Sequence, residues 1–313
     1  KINKIMNLLI TGCCGHIGSY LADNIYKIKK IKKTILVDNI KSNRFCSLFN
    51  LNKNNKLKFY LRDVNKKNSL NDFKNINYVI HCASMTNAEK SFGKKNQMYR
   101  NNLDCLKTVI KFCKKNKSKL FHLSSTSVYG KQTELVDEEC EEKYLKPQSP
   151  YADIKLIEEK MLKENSKNLR YNTFRFGTIS GVSKGIRFHT AVNKFCFNAA
   201  INEDLYIYKT ALNQYRPYLS LKDAFKTFKF CIENDFFNNE IYNILSGNFT
   251  VNQIVKKIQK YKKNLNVKLV KTEIMNQLSY KVSKKKIQKE GLILKQNIET
   301  DIKETLKLLS NIS

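Results

Sequence analysis

Tryptophan is absent from this 313-residue chain, proline occurs three times and glycine ten times. No internal repeat and no low-complexity linker interrupts it. No apolar run approaches the ~20 residues needed to cross a bilayer, so membrane insertion is not expected. The opening Lys1-Ile2-Asn3-Lys4-Ile5 is too short and too polar for a signal peptide and runs directly into a first strand. The nine cysteines are odd in number, scattered and without a C-x-x-C pair. That excludes a disulfide frame or a zinc site and points to reduced thiols in the cytoplasm. The four histidines lie far apart, so no metal site is expected. Arginine is scarce as well, seven residues against 51 lysines in a chain of net charge +31. A nucleic-acid binder favours arginine for bidentate phosphate and base contacts, and these lysines are spread over the whole length. The charge is therefore read as a solvated basic surface, with no nucleic-acid partner, that attracts small anions.

Against that scarcity, three of the ten glycines fall within seven residues, Gly12, Gly15 and Gly18. They follow the hydrophobic run Leu8-Leu9-Ile10 and precede a helical pattern, which reads as strand, tight turn and helix. The free N–H groups and positive dipole end of such a helix suit a pyrophosphate. Gly12 allows the sharp turn, Gly15 the close approach of the phosphates and Gly18 the packing of helix on strand. Asp38 ends a second hydrophobic run, Thr34–Val37, 20 residues after Gly18. A carboxylate there suits the ribose hydroxyls of NAD and repels the 2′-phosphate of NADP, although Arg44 leaves room for the latter. Asp38 can also be read as a plain turn residue.

In order, strands are expected at 5–11, 34–38, 57–61, 77–83, 119–124 and 171–176, with helices at 16–29, 97–115 and from Pro150. Alternation at this rhythm predicts an α/β fold, a Rossmann-type doubly wound parallel sheet with a smaller C-terminal substrate-binding lobe. Residues 1–176 form the cofactor domain and 177–313 mainly the lobe, with about 214–246 returning to the first domain. In the lobe, helices are expected at 191–202, 221–234, 250–262 and 298–309, with short strands at 205–208 and 267–270. Ser149 caps a helix whose first residue is Pro150. Tyr151 and Lys155 lie four apart on one face of it. Tyr-x-x-x-Lys occurs four times in this lysine-rich chain. Only this copy follows a serine-rich strand end, Ser124-Ser125-Thr126-Ser127, and opens a capped helix.

These motifs, with Asp63-Val64, His81-Cys82-Ala83, Asn101-Asn102 and Arg216-Pro217-Tyr218, occur in the order of the extended short-chain dehydrogenase/reductases. The chain resembles the NAD-dependent epimerase/dehydratase family acting on nucleotide sugars, whose best-known members are the UDP-glucose 4-epimerases. The resemblance implies an enzyme with Tyr151 as catalytic acid/base, Ser125 polarising the same substrate oxygen and Lys155 on the nicotinamide ribose. It implies NAD contacts from Gly12, Gly15, His16, Ile17, Gly18, Asp38, Asn39, Asp63, Val64, Ala83, Asn102, Tyr151 and Lys155. Nucleotide-sugar contacts are implied for Ser125, Thr126, Thr178 and Arg216, and a homodimer through the helices at 97–115 and 150–165. The chemistry agrees, because an ammonium and a positive nicotinamide both favour the ionised form of a nearby phenol.

The 4,6-dehydratases of this family place an Asp-Glu pair just after the catalytic hydroxyl, and its decarboxylases keep a Glu. Here stand Thr126 and Ser127, which cannot serve as carboxylate bases. Epimerisation at C4 through a transient 4-keto sugar is thus the first expectation. An NAD(P)-dependent reductase, dehydrogenase or dehydratase of nucleotide sugars is the second, and a non-catalytic NAD-binding module the third. Thr178 stands where the 4-epimerases carry asparagine. The segment Gly185–Asn193 also differs from theirs, which leaves Arg187, His189 and Asn193 as candidates for the sugar site.

Overall fold

The computed structural model describes residues 6–53, 56–86, 89–271, 279–295 and 297–310; the opening pentapeptide, with the first residue of the expected strand, lies outside them. The first half runs through β1 (Met6–Thr11), α1 (His16–Asn24), β2 (Ile31–Asp38), β3 (Leu57–Leu61), β4 (Tyr78–His81), α2 (Lys95–Asn116), β5 (Lys119–Ser125), β6 (Leu135–Val136), α3 (Pro150–Glu164) and β7 (Arg170–Phe176). There follow β8 (Thr178–Ser180), α4 (Ala191–Ala200), β9 (Leu205–Tyr208), β10 (Tyr215–Ser220), α5 (Leu221–Asn234), β11 (Ile241–Ile244) and β12 (Gly247–Thr250). The chain closes with α6 (Val251–Gln259), β13 (Val267–Val270), β14 (Lys281–Val282), α7 (Lys285–Lys289) and α8 (Ile298–Leu308). Among the described residues no helix is long and apolar enough to cross a membrane.

Seven strands form one parallel sheet in the order β3-β2-β1-β4-β5-β7-β11. The strand order reverses between β1 and β4, and in such sheets the crevice at the carboxyl ends of these two strands receives the ligand. Both faces are covered, which explains why the strands read as unbroken apolar runs. Leu8, Ile10, Phe121 and Phe174 pack with Leu21 of α1 and Phe228 of α5. Their alternates Leu9, Val79, Leu120 and Tyr171 pack on the opposite side with Leu106 and Val109 of α2. A separate apolar cluster joins α4, α6 and α8 to β9 and β10 through Val192, Cys196, Ile254, Ile258 and Ile302. Beside it β10 pairs parallel with β8 and antiparallel with β12.

Several boundaries differ from expectation: the helix expected at 250–262 ends at Gln259, and the strand expected at 77–83 spans Tyr78–His81. The first helix ends at Asn24, not 29, and passes into a 3-10 turn at Ile25–Lys27, so β2 begins three residues early. Lys32 and Lys33 are exposed on that extension, and their charge hid the strand from a reading based on apolar runs. The helix expected through 202 stops at Ala200, because Asn202 takes a left-handed conformation, φ +58°. β6, β8, β11, β12, β14 and α7, each of five residues or fewer, were not expected from the sequence.

Candidate active site

The glycine turn forms as the sequence predicts. Gly12 has φ +69°, and a Cβ on it would lie 2.5 Å from the backbone nitrogen of Ala83. A Cβ on Gly18 would lie 2.3 Å from the Gly12 carbonyl oxygen, so α1 rests directly on the turn. Gly15 caps α1 without any side-chain hydrogen bond, and among the described residues the atom a Cβ there would meet within 4 Å is the Gly12 oxygen, at 3.3 Å. One side of Gly15 is therefore open, and among the described residues no side-chain cap bonds the start of α1. Gly12, Gly15, His16, Ile17 and Gly18 line a crevice of about 660 Å³. This cradle fits a dinucleotide pyrophosphate. Asp38 stands beside it, its two oxygens accepting the backbone N–H groups of Cys14 at 2.9 Å and Ile40 at 2.8 Å. Asp38 thus helps to hold the turn as well as presenting charge to its edge.

Across the crevice stand the expected hydroxyls. Ser149 caps α3 by accepting the N–H of Ala152 at 3.3 Å, and Pro150 opens the helix. That cap aims Tyr151 and Lys155 into the crevice, with the Lys155 Nζ 5.6 Å from the centre of the phenol ring. Ser125 ends β5, its Oγ accepting from the Ser127 N–H at 3.2 Å and the Ser127 hydroxyl at 2.9 Å. Both bonds leave the Ser125 proton to donate elsewhere. Thr126, Thr178 and Arg216 also line the crevice. The Arg216 Nε and the Tyr218 hydroxyl are buried without a hydrogen-bond partner among the described residues. Buried donors left open in this way fit an anionic ligand.

Other expected residues stand back from the crevice. Val64 is buried in the α2-side core. Asp63 pairs with Lys41 at 2.7 Å; burial works against its charge, but Lys41 and Asn39 outweigh it and hold the carboxyl below the usual range. Ala83 backs Gly12. Asn102 is fully buried and clamps the Met85 backbone at both N–H (2.8 Å) and C=O (3.0 Å), so it reaches the crevice only through the loop it holds. Arg187 and His189 line the crevice, whereas Asn193 donates to the Arg187 carbonyl at 2.9 Å and supports their segment. Arg187 bonds to Thr86, and burial pushes its guanidinium down to about 10. The crevice is also lined by His81, Cys82, Tyr218 and Tyr280, which motif reading alone did not place there. Among the described lining residues there is no aspartate and no glutamate.

Two buried ionic groups sit beneath this wall. The Glu159 carboxylate receives Arg175 through two bonds, at 3.0 and 2.7 Å, and also the Ser124 hydroxyl. Arg175→Met is expected to cost about 3–5 kcal/mol, because it leaves Glu159 charged and buried without its cation. The urea midpoint reads this, and an unchanged midpoint would remove the pair from the stability of the fold. The second group is Lys155–Glu158–His122, with Glu158 Oε2 at 2.7 Å from Lys155 Nζ and 3.0 Å from His122 Nε2.

His16 and His81 are both pushed down to about 3, chiefly by burial. A histidine held neutral in the fold adds stability above its ordinary value near ~6.5, and that stability is lost as pH falls from there toward the folded value. The urea midpoint is therefore expected to decline steadily from pH 6.5 to 4. His81→Gln should flatten this decline, and an equally steep slope in that variant would exclude His81 as its source.

The NAD dependent epimerase/dehydratase family model matches residues 8–244. A trifunctional UDP-glucose 4,6-dehydratase/UDP-4-keto-6-deoxy-D-glucose 3,5-epimerase/UDP-4-keto-L-rhamnose-reductase of Arabidopsis thaliana is 26% identical over 317 residues, covering 96% of this chain and 46% of that protein. The chain thus spans about half the length of the first curated relatives it matches. The solved UDP-N-acetylglucosamine 4-epimerase of Methanobrevibacter ruminantium superposes with TM-score 0.86 at 24% identity, covering 99% of this chain and all of that one. UDP-glucuronic acid 4-epimerase of Bacillus cereus, solved with NAD, gives 0.88 at 20%, covering 98% and 100%. These structural likenesses are of fold, whereas the family match runs through the glycine turn, the serine-rich strand end and the Tyr151–Lys155 helix. The chain belongs to the NAD-dependent epimerase/dehydratase family of the extended short-chain dehydrogenase/reductases, enzymes whose cofactor is NAD.

Proposed function

We propose that this enzyme epimerises a nucleotide sugar at C4 through a transient 4-keto sugar. What carries the reading is the wall of the crevice: Ser125, Tyr151 and Lys155 stand together, and no lining carboxylate accompanies them among the described residues. Elimination of water across C5 and C6 needs a base for the C5 proton and an acid for the leaving hydroxyl, the work that paired carboxylates do well. Hydroxyls at Thr126 and Ser127 cannot replace them at neutral pH.

In this reading the glycine turn and α1 hold the pyrophosphate of NAD and Asp38 faces the adenosine ribose. When bound, NAD supplies reversible hydride transfer at the sugar carbon. Tyr151 takes the proton from the C4 hydroxyl and returns it, while Ser125 donates a hydrogen bond to the same oxygen. Lys155 holds the nicotinamide ribose and stabilises the phenolate. Arg216 takes the nucleotide diphosphate, and the free thiols of all nine cysteines accord with a cytoplasmic setting. The α2–α3 surface is our candidate for a homodimer contact.

The deciding experiment is mass spectrometry for retained NAD, then incubation with UDP-, GDP-, CDP- and dTDP-sugars in deuterium oxide. A C4 epimer with no net NADH and no deuterium at C5 is expected. Solvent deuterium at C5 with loss of water would establish a dehydratase instead, and stoichiometric NADH a dehydrogenase. Asp38→Ala is expected to weaken NAD binding more than NADP binding, because it removes the charge that repels a 2′-phosphate. Calorimetric titration with both cofactors reads the ratio, and a larger loss for NADP would overturn the assignment.

A further inference from the structure

Beneath the crevice one rung of the sheet is polar. Thr11 of β1, His81 of β4, His122 of β5 and Thr173 of β7 are successive partners in register. Their in-strand neighbours on the same face, Leu9, Val79, Leu120 and Tyr171, are apolar core. All four polar residues are buried. The Thr11 hydroxyl and His81 Nδ1 are 2.8 Å apart, and His122 Nδ1 lies 3.2 Å from the Thr173 hydroxyl. With Thr173 donating to Nδ1, His122 carries its proton on Nε2 and donates it to Glu158 Oε2. Lys155 Nζ donates to the same oxygen. The Lys155–Glu158 charge pair is thus set on an imidazole N–H.

We propose that Glu158, seated by His122, is a positioning residue that keeps Lys155 charged at the floor of the crevice. This rests on the reading that Lys155 and Tyr151 serve the reacting end of the site. Lys155 is 4% exposed, and an ammonium so far from water tends to shed its proton unless a carboxylate compensates. Burial pushes Lys155 down, but Glu158 and Tyr151 outweigh it and hold the ammonium above the usual lysine range. Burial likewise pushes Glu158 up, and Lys155 with His122 overcomes it, holding the carboxyl at about 2.

The other titratable neighbours contribute less than Glu158 or nothing to this charge. Glu159, on the same helix, favours the ammonium less than Glu158 does, and its carboxylate is bonded to Arg175. His81 of β4 is kept neutral by burial. Cys82 after β4 and Cys105 of α2 are both pushed up to about 12 by burial and stay as thiols. Among the described groups, Glu158 is the carboxylate in contact with the ammonium.

Competitive acetylation of the whole protein between pH 7 and 11, read at Lys155 by peptide mass spectrometry, tests this without turnover. In the wild type Lys155 should label at least ~10-fold more slowly than the surface lysines at pH 9. In Glu158→Gln, which keeps the shape and removes the charge, its ionisation should move down by about one pH unit or more, and labelling at pH 8–9 should rise about tenfold. His122→Leu should move it the same way by less, and His122→Gln, which restores an N–H donor, should return it to the wild-type profile. Wild-type labelling of Lys155 in folded Glu158→Gln means that Glu158 only fills space, and the proposal fails. If that variant does not fold, an unchanged profile in His122→Leu, or a surface-like profile in the wild type, overturns it equally. A protein that labels as expected but converts no nucleotide sugar would lose the catalytic reading and keep this assignment.

Discussion

Tyr151→Phe is expected to lower turnover by ~10²–10⁴ while NAD is retained at wild-type stoichiometry. The substitution removes one oxygen and leaves the ring, which packs on α3 one turn before Lys155. The Lys155–Glu158 bond does not involve the phenol, so the cofactor floor should persist. What is lost is the group that accepts and returns the proton of the reacting hydroxyl. Ser125 stays in place, since its hydroxyl is fixed by Ser127 and not by Tyr151. The residual rate should therefore reflect positioning and the serine hydrogen bond alone. Single-turnover measurement of keto-sugar formation separates this from slow product release. A variant with wild-type turnover would take Tyr151 out of the mechanism, whatever its position in the crevice.

The parts of the site that could be read from the chain are those where a local backbone need and a chemical role coincide. Gly12 must adopt positive φ at a turn, and Ser149-Pro150 must start a helix, so each leaves a mark on its immediate neighbours. That mark distinguished one Tyr-x-x-x-Lys copy from three others. The buried rung left none. His81 and His122 are 41 positions apart in sequence and adjacent in the sheet, and four scattered histidines argued only against a metal site. Strand pairing across a doubly wound sheet is non-local, and a single sequence does not encode register in any short window. Asn102 shows a related limit. Its motif marked it as beside the site, but both its amide groups are used on the Met85 backbone. In the C-terminal lobe the helices and two short strands were legible from pattern, whereas Thr178 and Arg216 were marked only by the resemblance and Arg187 only by a departure from it. The lobe's contribution to the crevice comes from single residues, Thr178, Arg187 and Arg216, presented by β8, β10 and the segment before α4.

Gly18→Ala and Gly15→Ala should separate the two tasks of the glycine turn. A Cβ at Gly18 would lie 2.3 Å from the Gly12 oxygen and 2.7 Å from Cys13 Cα, both backbone atoms. Neither can yield alone, because Gly12 is itself wedged against Ala83, where a Cβ would meet the backbone at 2.5 Å. Relief requires α1 to move off β1, and α1 carries Leu21 and Ala22 in the core shared with α5. A cost at or above the ~1–3 kcal/mol of ordinary overpacking is expected, seen as a lower urea midpoint with or without NAD. At Gly15 the added methyl would meet only the Gly12 oxygen, at 3.3 Å, a contact relieved by a few tenths of an ångström. Its open side faces the crevice, so the fold should keep its urea midpoint while NAD affinity falls by about tenfold or more, ~1.4 kcal/mol. If Gly15→Ala retained full NAD affinity, the pyrophosphate would not pass over α1. If Gly18→Ala kept the wild-type midpoint, the helix would not rest on the turn as described.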